Sequence, residues 1–224
     1  MNFLNNIPPV TKNIIIINVL VYALQNVVPG FNLNFGLHFF KSPDFQAYQL
    51  ITHMFMHGGF YHILFNMYGV YMFGSALEQR MGSQKFFSYF LMTGFGAVLL
   101  HFASMYWESY AVVNEIEQLF ANGTITSEQY STAYFNTFNI TVGASGALFG
   151  VLAGFAMFFP NQRLYLMFVP VPIKAKYFVL FYAAYELYIG VSNSPGDNIA
   201  HFAHLGGALF GYIIIKSWKS KGTI

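Results

Sequence analysis

The sequence contains no cysteine and little charge. Without cysteine, the chain can form no disulfide and has no thiol nucleophile. Charged residues occupy 8% of its 224 positions, whereas a soluble domain carries about one quarter. This scarcity excludes an ordinary soluble globular domain. Signatures of phosphate or nucleic-acid binding are also missing, so no nucleic-acid partner is expected.

Apolar and aromatic residues take the place of the missing charge. Hydrophobic residues make up 56% of the chain and aromatic residues 20%, and the mean hydropathy is +0.48. Phe and Tyr suit lipid-facing and interfacial positions, and Gly and Ala suit close contacts between membrane helices. The composition predicts an all-α integral membrane protein with a single domain over residues 1–224. The N-terminus lacks the features of a cleavable signal peptide, so the first apolar segment is expected to remain.

Six apolar segments are predicted as membrane helices, at residues 13–28, 60–77, 86–106, 145–159, 177–191 and 200–215. A polar insertion over residues 107–139 lies in the outer loop between the third and fourth helices. Six spans put both termini on one side of the bilayer, and every basic residue except Lys41 falls on that side. Because positive charge concentrates on the cytoplasmic side, both termini are predicted to be cytoplasmic.

The fourth helix is unusually short and begins at a serine. Between Ser145 and the helix-ending Pro160 the rise is roughly 22 Å, less than the roughly 30 Å of a hydrocarbon core. The outer end of this helix should therefore lie below the membrane surface, where irregular backbone must face protein or a water-filled cavity. Ser145 is predicted at the floor of such a cavity, as a helix cap, a small packing residue or a nucleophile.

Glycines recur at every fourth position on two predicted helices, as Gly146, Gly150 and Gly154 on the fourth and Gly207 and Gly211 on the sixth. Small residues at this spacing let membrane helices approach closely. If the two faces meet, Ser145 lies beside His201 or His204. These histidines share one helical face, so spacing hardly separates them. The proximity of His204 to the glycine seam favours His204 as a base.

The second helix offers hydrogen-bond donors near its outer end. His62 and Asn66 are four residues apart and therefore project from one face. Both can donate to a developing oxyanion, as can the unpaired backbone N–H of Ser145 at a helix start. An interhelical hydrogen-bonding pair is an equally good interpretation of His62 and Asn66.

His53, His57 and His62 form a histidine-rich stretch that could be interpreted as a metal site. Gly58-Gly59 is expected to break the helix between them. A carboxylate at ligand-like spacing and the His-Glu-x-x-His pattern are both missing. No metal site is therefore predicted, and His53 and His57 are expected to order the outer loop through hydrogen bonds.

Two buried or interfacial acids complete the candidate list. Glu186, in the fifth helix, could orient a histidine as the third member of a triad. A tether to an outer-loop or sixth-helix polar group is the favoured interpretation. Glu78 and Arg80, at the inner end of the second helix, are expected to be interfacial anchors.

Three motifs together resemble the rhomboid family of intramembrane serine proteases. They are His62-Ile63-Leu64-Phe65-Asn66 on the second helix, Gly143-Ala144-Ser145-Gly146 at the start of the fourth, and Ala200-His201-Phe202-Ala203-His204-Leu205-Gly206-Gly207, followed by Gly211, on the sixth. The resemblance implies a six-helix rhomboid-like bundle in which Ser145 is the nucleophile and His204 the general base of a dyad. His62, Asn66 and the Ser145 amide would form the oxyanion hole.

The resemblance also implies a function. Rhomboids cleave transmembrane segments of other proteins near their outer ends, without metal or organic cofactor, and use the fifth helix and the loop above the site to admit substrate. The expected partners are transmembrane protein substrates and the lipid bilayer, and the compact form suggests a bacterial cytoplasmic membrane. A non-catalytic rhomboid-like protein that binds membrane clients is the first alternative. A metal transporter using the histidine-rich stretch is the second.

Three departures from the family pattern stand out. Tyr48-Gln49 occupies the place where many members have Trp-Arg, so the first outer loop must be anchored differently. Phe149 stands where some members have Tyr, and can stack on His204 but not donate a hydrogen bond. The 107–139 insertion is longer than in compact bacterial members and is expected to be a tolerated surface insertion.

Because no acidic partner is evident, the orientation of His204 is expected to depend on stacking against Phe149.

Overall fold

The computed structural model describes residues 6–165, 171–192 and 199–224, which are mostly helical. In chain order they form α1 (Pro9–Val27), α2 (Phe31–Phe35), α3 (Gln49–Thr52), a 3₁₀ turn (His53–Phe55), α4 (Phe60–Gly69), a π-helical segment (Val70–Gly74), α5 (Ser75–Met81), α6 (Ser83–Glu108), α7 (Tyr110–Ala121), α8 (Ser127–Thr137), α9 (Ser145–Phe158), β1 (Arg163–Leu164), β2 (Ile173–Lys174), α10 (Ala175–Ser192) and α11 (His201–Ser220). The two short strands pair antiparallel, with Arg163 opposite Lys174.

Each of the six predicted segments is helical, with differences at the ends. The predicted second helix corresponds to α4, the π-helical segment and α5, which run on from one another. Among the described residues, α1 and α6 are long and apolar enough to cross a membrane, whereas α9 is a shorter apolar helix. The length and composition of the observed helices therefore identify two membrane spans. The count of six membrane spans stays a prediction.

Helix α1 begins earlier than predicted because a distant carboxylate caps it. Glu78 accepts hydrogen bonds from the backbone N–H groups of Val10 and Thr11, at 2.9 and 2.7 Å, and from the Thr11 hydroxyl at 2.8 Å. These first-turn donors have no partner within a helix, and a carboxylate also suits the positive end of the helix dipole. Glu78 is 2% exposed, so the prediction that it is an interfacial anchor is wrong.

Helix α9 packs against both α6 and α11, and most of its residues are buried. Gly207 of α11 lies against the backbone of Gly146 so closely that a Cβ there would overlap the Gly146 carbonyl oxygen. A Cβ on Gly211 would lie 2.8 Å from the carbonyl oxygen of Gly150. The sixth-helix glycines thus bring α11 onto the backbone of α9.

The glycine face of α9 itself points elsewhere. A Cβ on Gly146 would lie 2.5 Å from that of Ala97, and Cβ atoms on Gly150 and Gly154 would meet Thr93 and Tyr89. All three of those neighbours belong to α6. The expectation that the two glycine faces meet each other is therefore wrong in part, because the glycines of α9 make room for α6.

The 107–139 insertion is a folded hairpin of α7 and α8. Thr126 and Gln129 form a capping box at the start of α8. Phe39 of the first outer loop stacks on Phe138 with ring centroids 4.1 Å apart. Lys41 of the same loop pairs with Glu117 at 2.8 Å, and this hydrogen bond raises the pKa of the Lys41 ammonium. The insertion is therefore packed against the first outer loop.

Gln49 anchors the first outer loop at the place where the Trp-Arg pair is missing. Its side chain is buried, and its Nε2 donates to the carbonyl oxygens of Asn34 and Asp44 at 3.2 Å each. Its Oε1 accepts the backbone N–H of Gln46 at 3.1 Å. The Tyr48 hydroxyl donates to the same Asn34 carbonyl at 3.0 Å. A neutral amide therefore organises this loop through backbone contacts.

Candidate active site

The N-terminal end of α9 faces a cavity of about 1420 Å³. Ser145 lies in its wall together with His62 and Asn66 of α4 and His204 of α11. The segment before α9 is held by a hydrogen bond from the Gly143 N–H to the His53 carbonyl oxygen, at 2.9 Å. The four side chains predicted from the sequence as a site therefore share one cavity.

Ser145 and His204 are in hydrogen-bond contact. The Ser145 Oγ lies 2.9 Å from Nε2 of His204. The imidazole of His204 stacks on the ring of Phe149, one turn along α9, with centroids 4.3 Å apart and planes 5° from parallel. His201 instead turns its Nδ1 toward Glu186. Of the two histidines that spacing could not separate, His204 is the one placed against the serine.

Glu186 of α10 contacts both histidines. Its Oε2 accepts hydrogen bonds from Nδ1 of His204 at 2.9 Å and from Nδ1 of His201 at 2.6 Å. The carboxylate is 3% exposed. The expectation that His204 has no acidic partner is wrong. The favoured interpretation of Glu186 as a tether to a sixth-helix polar group agrees with these contacts, and the triad interpretation agrees with them equally.

His62 is held with one ring nitrogen toward the serine. The backbone N–H of Gly58 donates to His62 Nδ1 at 3.2 Å, so in the neutral ring Nε2 carries the proton. A Cβ on Gly143 would lie 2.9 Å from His62 Nε2 and 3.5 Å from Ser145 Oγ. Gly143 also has φ +135°, in the region that favours glycine. Its missing side chain lets His62 and Ser145 face each other.

Asn66 and the Ser145 amide supply further donors at the same cavity. Asn66 is 4% exposed, and its Nδ2 donates to the His62 carbonyl oxygen at 2.8 Å. An amide nitrogen carries two protons, so one remains for a ligand. Ser145 is the first residue of α9, and an N–H at that position has no acceptor within its own helix. Three potential donors are therefore carried by residues lining this cavity.

His53 and His57 behave differently in the loop between α1 and α4. His53 Nδ1 lies 2.7 Å from the Gln49 carbonyl oxygen, as expected for a residue that orders the loop. The ring nitrogens of His57 are buried and have no hydrogen-bond partner among the described residues. The backbone of His57 does form hydrogen bonds: its N–H donates to Gln25 Oε1 at 2.9 Å and its carbonyl oxygen accepts from Gln25 Nε2 at 3.1 Å. His57 thus ties the loop to α1 through its backbone, as expected for a residue that orders the loop. Its ring packs edge-on against His62 with centroids 5.0 Å apart.

Burial changes the titration of both loop histidines. It lowers the pKa of His53 to about 4 and that of His57 to about 3, from the ordinary 6.5. The cause is desolvation, which disfavours the charged imidazolium. Both residues are therefore neutral at physiological pH.

Comparison with known families agrees with this geometry. A family model described as "Rhomboid domain" matches residues 44–218. This chain belongs to the rhomboid family. The match confirms the resemblance read from the three motifs. Rhomboids are membrane-embedded, so the chain is an integral membrane protein.

Relatives of this rhomboid include two proteins named rhomboid proteases and a rhomboid-like protein. Rhomboid protease AarA of Providencia stuartii is 25% identical over 221 residues, covering 91% of this chain and 70% of AarA. RHOMBOID-like protein 1 of Arabidopsis thaliana is 27% identical over 170 residues, covering 75% of this chain and 34% of the relative. Rhomboid protease GlpG of Klebsiella pneumoniae is 35% identical over 83 residues, covering 36% of this chain and 30% of GlpG. This rhomboid thus spans about a third of the Arabidopsis protein.

Sequence reasoning assigned no role to one histidine that lines the rhomboid cavity. His101 of α6 places Nε2 2.8 Å from the Thr141 hydroxyl, in the segment leading to Ser145. An ionisable residue inside a predicted membrane helix is itself a signal of function. The position of His101 inside the predicted third helix is visible in the sequence and would have indicated a functional residue.

The described residues contain one close group of metal-ligating types, and it is formed by Glu186, His201 and His204. Their nearest nitrogen and oxygen atoms lie within 4.8 Å of one another. The histidine-rich stretch of His53, His57 and His62 does not form such a group in the described part of the chain. The Glu186 oxygen already accepts from both histidines, so hydrogen bonding accounts for this cluster.

Proposed function

We propose that this rhomboid is an intramembrane serine endopeptidase that cleaves transmembrane segments near their outer ends. The observation that carries the proposal is the 2.9 Å contact between Ser145 Oγ and His204 Nε2 at a cavity shared with His62 and Asn66. A nucleophile hydrogen-bonded to an oriented base, facing several donors, is the arrangement that acyl transfer requires. A serine that only capped or packed α9 would need none of these neighbours.

The reaction would proceed by two acyl transfers. His204 Nε2 takes the Ser145 proton while Oγ attacks the substrate carbonyl carbon, and the C–O bond forms as the carbonyl π electrons move to oxygen. His62 Nε2–H, the free Asn66 Nδ2–H and the Ser145 N–H would stabilise that oxyanion. His204 then protonates the leaving amine as the C–N bond breaks. Water, deprotonated by His204, hydrolyses the acyl-enzyme and restores Ser145.

Substrate would enter from the lipid between α4 and α10. The cavity wall includes Phe65 on α4, Met72 on the π-helical segment that continues α4, and Phe178 and Tyr182 on α10. Phe65 and Met72 are 58% and 45% exposed, which suits contact with lipid or with an apolar substrate segment. An apolar wall leading to a polar floor fits a transmembrane segment that delivers one peptide bond to Ser145.

The membrane arrangement belongs to the same proposal. Six helical segments cross the bilayer with both termini in the cytoplasm, as the distribution of basic residues favours. Helix α9 has 14 residues, or about 21 Å of rise, so its outer end lies below the membrane surface. A cavity that admits water at that depth would supply the hydrolytic water. The similarity to rhomboid proteases of Providencia and Klebsiella supports a bacterial cytoplasmic membrane as the proposed location.

Labelling with a fluorophosphonate tests the assigned nucleophile and base. Purified wild-type protein in liposomes should be labelled at Ser145, and Ser145→Ala should not. His204→Ala should lose labelling, whereas His201→Ala should keep most of it because Nε2 of His204 contacts the serine and Nδ1 of His201 contacts Glu186. If wild type is not labelled and cleaves no more substrate than Ser145→Ala, a client-binding rhomboid-like protein is favoured. Stoichiometric zinc or copper in the purified protein would favour a metal transporter.

A further inference from the structure

We infer that Glu186 is the third member of a Ser145–His204–Glu186 triad, as a positioning residue that acts through His204. This inference rests on the proposed function, for which the family resemblance implied a dyad alone. The carboxylate and the serine contact opposite edges of one imidazole, at Nδ1 and Nε2, each at 2.9 Å. A carboxylate on α10 therefore continues the hydrogen-bond chain that begins at the nucleophile.

The hydrogen bond to Glu186 fixes the tautomer of His204. An ionised carboxylate only accepts hydrogen bonds, so the proton of the neutral ring lies on Nδ1. Nε2 then has a lone pair and can accept the Ser145 proton. In the other tautomer Nε2 would carry the proton, and the nucleophile would have no base.

Glu186 also selects between two orientations of the His204 ring that stacking on Phe149 does not distinguish. Stacking with planes 5° apart sets the plane of the His204 ring. A 180° turn about the Cβ–Cγ bond keeps that plane but exchanges Nδ1 with Cδ2 and Nε2 with Cε1. Stacking alone accepts both orientations. Only the orientation observed here joins Glu186 to Nδ1 and Ser145 to Nε2, so the carboxylate selects the productive one.

The charge of Glu186 has most effect in the transition state. His204 becomes positive when it takes the serine proton, and the carboxylate then lies 2.9 Å from its Nδ1. Attraction between opposite charges is strong at a site shielded from water, and Glu186 is 3% exposed. An interaction that strengthens as charge develops accelerates the chemical step rather than substrate binding.

His201 gives the carboxylate a second hydrogen bond. Its Nδ1 donates to the same Oε2 at 2.6 Å. A buried carboxylate is stable only when its oxygens are paired or hydrogen-bonded. The second histidine supplies such a bond while leaving His204 Nε2 to the serine. His201 is thus a second anchor for Glu186.

The decisive variant is Glu186→Gln, because glutamine keeps an accepting oxygen and removes the charge. We expect kcat on a cleaved transmembrane substrate to fall by roughly 10- to 100-fold while KM stays within about two-fold. Glu186→Asp keeps the charge on a side chain one methylene shorter and should recover part of kcat. Glu78→Gln is the matched control, since Glu78 is 2% exposed and accepts several hydrogen bonds from the first turn of α1. It should lower the unfolding temperature and leave kcat per folded molecule unchanged.

A wild-type kcat in folded Glu186→Gln overturns the inference. So does a loss of kcat in Glu78→Gln as large as that in Glu186→Gln, because both losses would then reflect stability. Stoichiometric zinc that wild type retains and Glu186→Gln loses would make the cluster a metal site instead. These outcomes are separate from failure of the proposed function, in which wild type itself does not cleave.

A second measurement needs no Glu186 variant. Nitrogen-15 NMR of histidine-labelled wild type at neutral pH reports which ring nitrogen is protonated, and the His204 signal is assigned by its loss in His204→Gln. We expect the proton of His204 on Nδ1. A proton on Nε2 would overturn the inference, whether or not Glu186→Gln folds.

Discussion

The Ser145 Oγ lies 2.9 Å from Nε2 of His204, although the two residues are 59 positions apart in the chain. The contact exists because α11 lies against the backbone of α9 at Gly146, immediately after the serine. The position of the base therefore depends on how closely two helices approach. Glycine packing and catalytic geometry are physically linked in this protein.

Gly207→Ala should separate the nucleophile from its base. A Cβ at this position would overlap the Gly146 carbonyl oxygen, and the neighbouring atoms are backbone atoms of α9, which cannot rotate aside as the end of a flexible side chain can. Overpacking of this kind costs about 1–3 kcal/mol. We expect a lower unfolding temperature and a large loss of fluorophosphonate labelling at Ser145. Gly59→Ala is the control, because a Cβ on Gly59 would meet no atom within 4 Å and its φ of 166° is open to any residue. Equal labelling of Gly207→Ala and wild type would contradict this account.

Gly143→Ala should impair the site more than the fold. The substitution puts a methyl group 2.9 Å from His62 Nε2 and requires a φ of +135° in a residue with a Cβ. We expect kcat to fall by on the order of ten-fold or more, because His62 is pushed away from the oxyanion position. Steady-state cleavage measures the change, and thermal unfolding of the same sample separates it from misfolding. Retention of full kcat would show that His62 does not need this approach.

His57→Phe should make the protein less sensitive to acid. The folded pKa of His57 is about 3 against 6.5 in the unfolded chain, so its neutral form contributes stability in full above about pH 6.5. That contribution is lost as pH falls from about 6.5 toward 3, since only the unfolded state takes up the proton. Phenylalanine keeps a ring against His62 and removes two buried nitrogens that lack partners. The drop in unfolding temperature between pH 7 and pH 5 should therefore be smaller in His57→Phe than in wild type. If the decrease in unfolding temperature is the same in His57→Phe and wild type, groups other than His57 cause the acid sensitivity.

The main helices and the Ser145, His204, His62 and Asn66 members of the candidate site can be predicted from the sequence. Apolar runs predict helices because a backbone in lipid must satisfy its own hydrogen bonds. Spacing of three or four residues predicts a shared face, which is how His62 and Asn66, and His201 and His204, were paired. The early end of α9 follows from Pro160. These rules depend only on residues close together in the chain, so they predict helix positions and shared helical faces.

Contacts that depend on how helices rotate about their axes could not be predicted. Glu186 and His204 lie on different helices, so their hydrogen bond depends on the rotation and depth of both. The same holds for Glu78, whose carboxylate caps α1 from 68 positions away, and for the glycines of α9, which face α6. The burial of the His57 ring likewise depends on tertiary packing, which no pattern of neighbouring residues predicts.

Cleavage of transmembrane substrates by wild type and Ser145→Ala tests the central claim most directly. Both proteins would be purified, shown to have similar unfolding temperatures, and reconstituted into liposomes with a library of single-span membrane proteins. Mass spectrometry would locate any new termini. The account predicts that wild type cuts at least one substrate in the outer part of its transmembrane segment and that Ser145→Ala cuts none. Equal product from the two proteins, or none from either across the library, would contradict it.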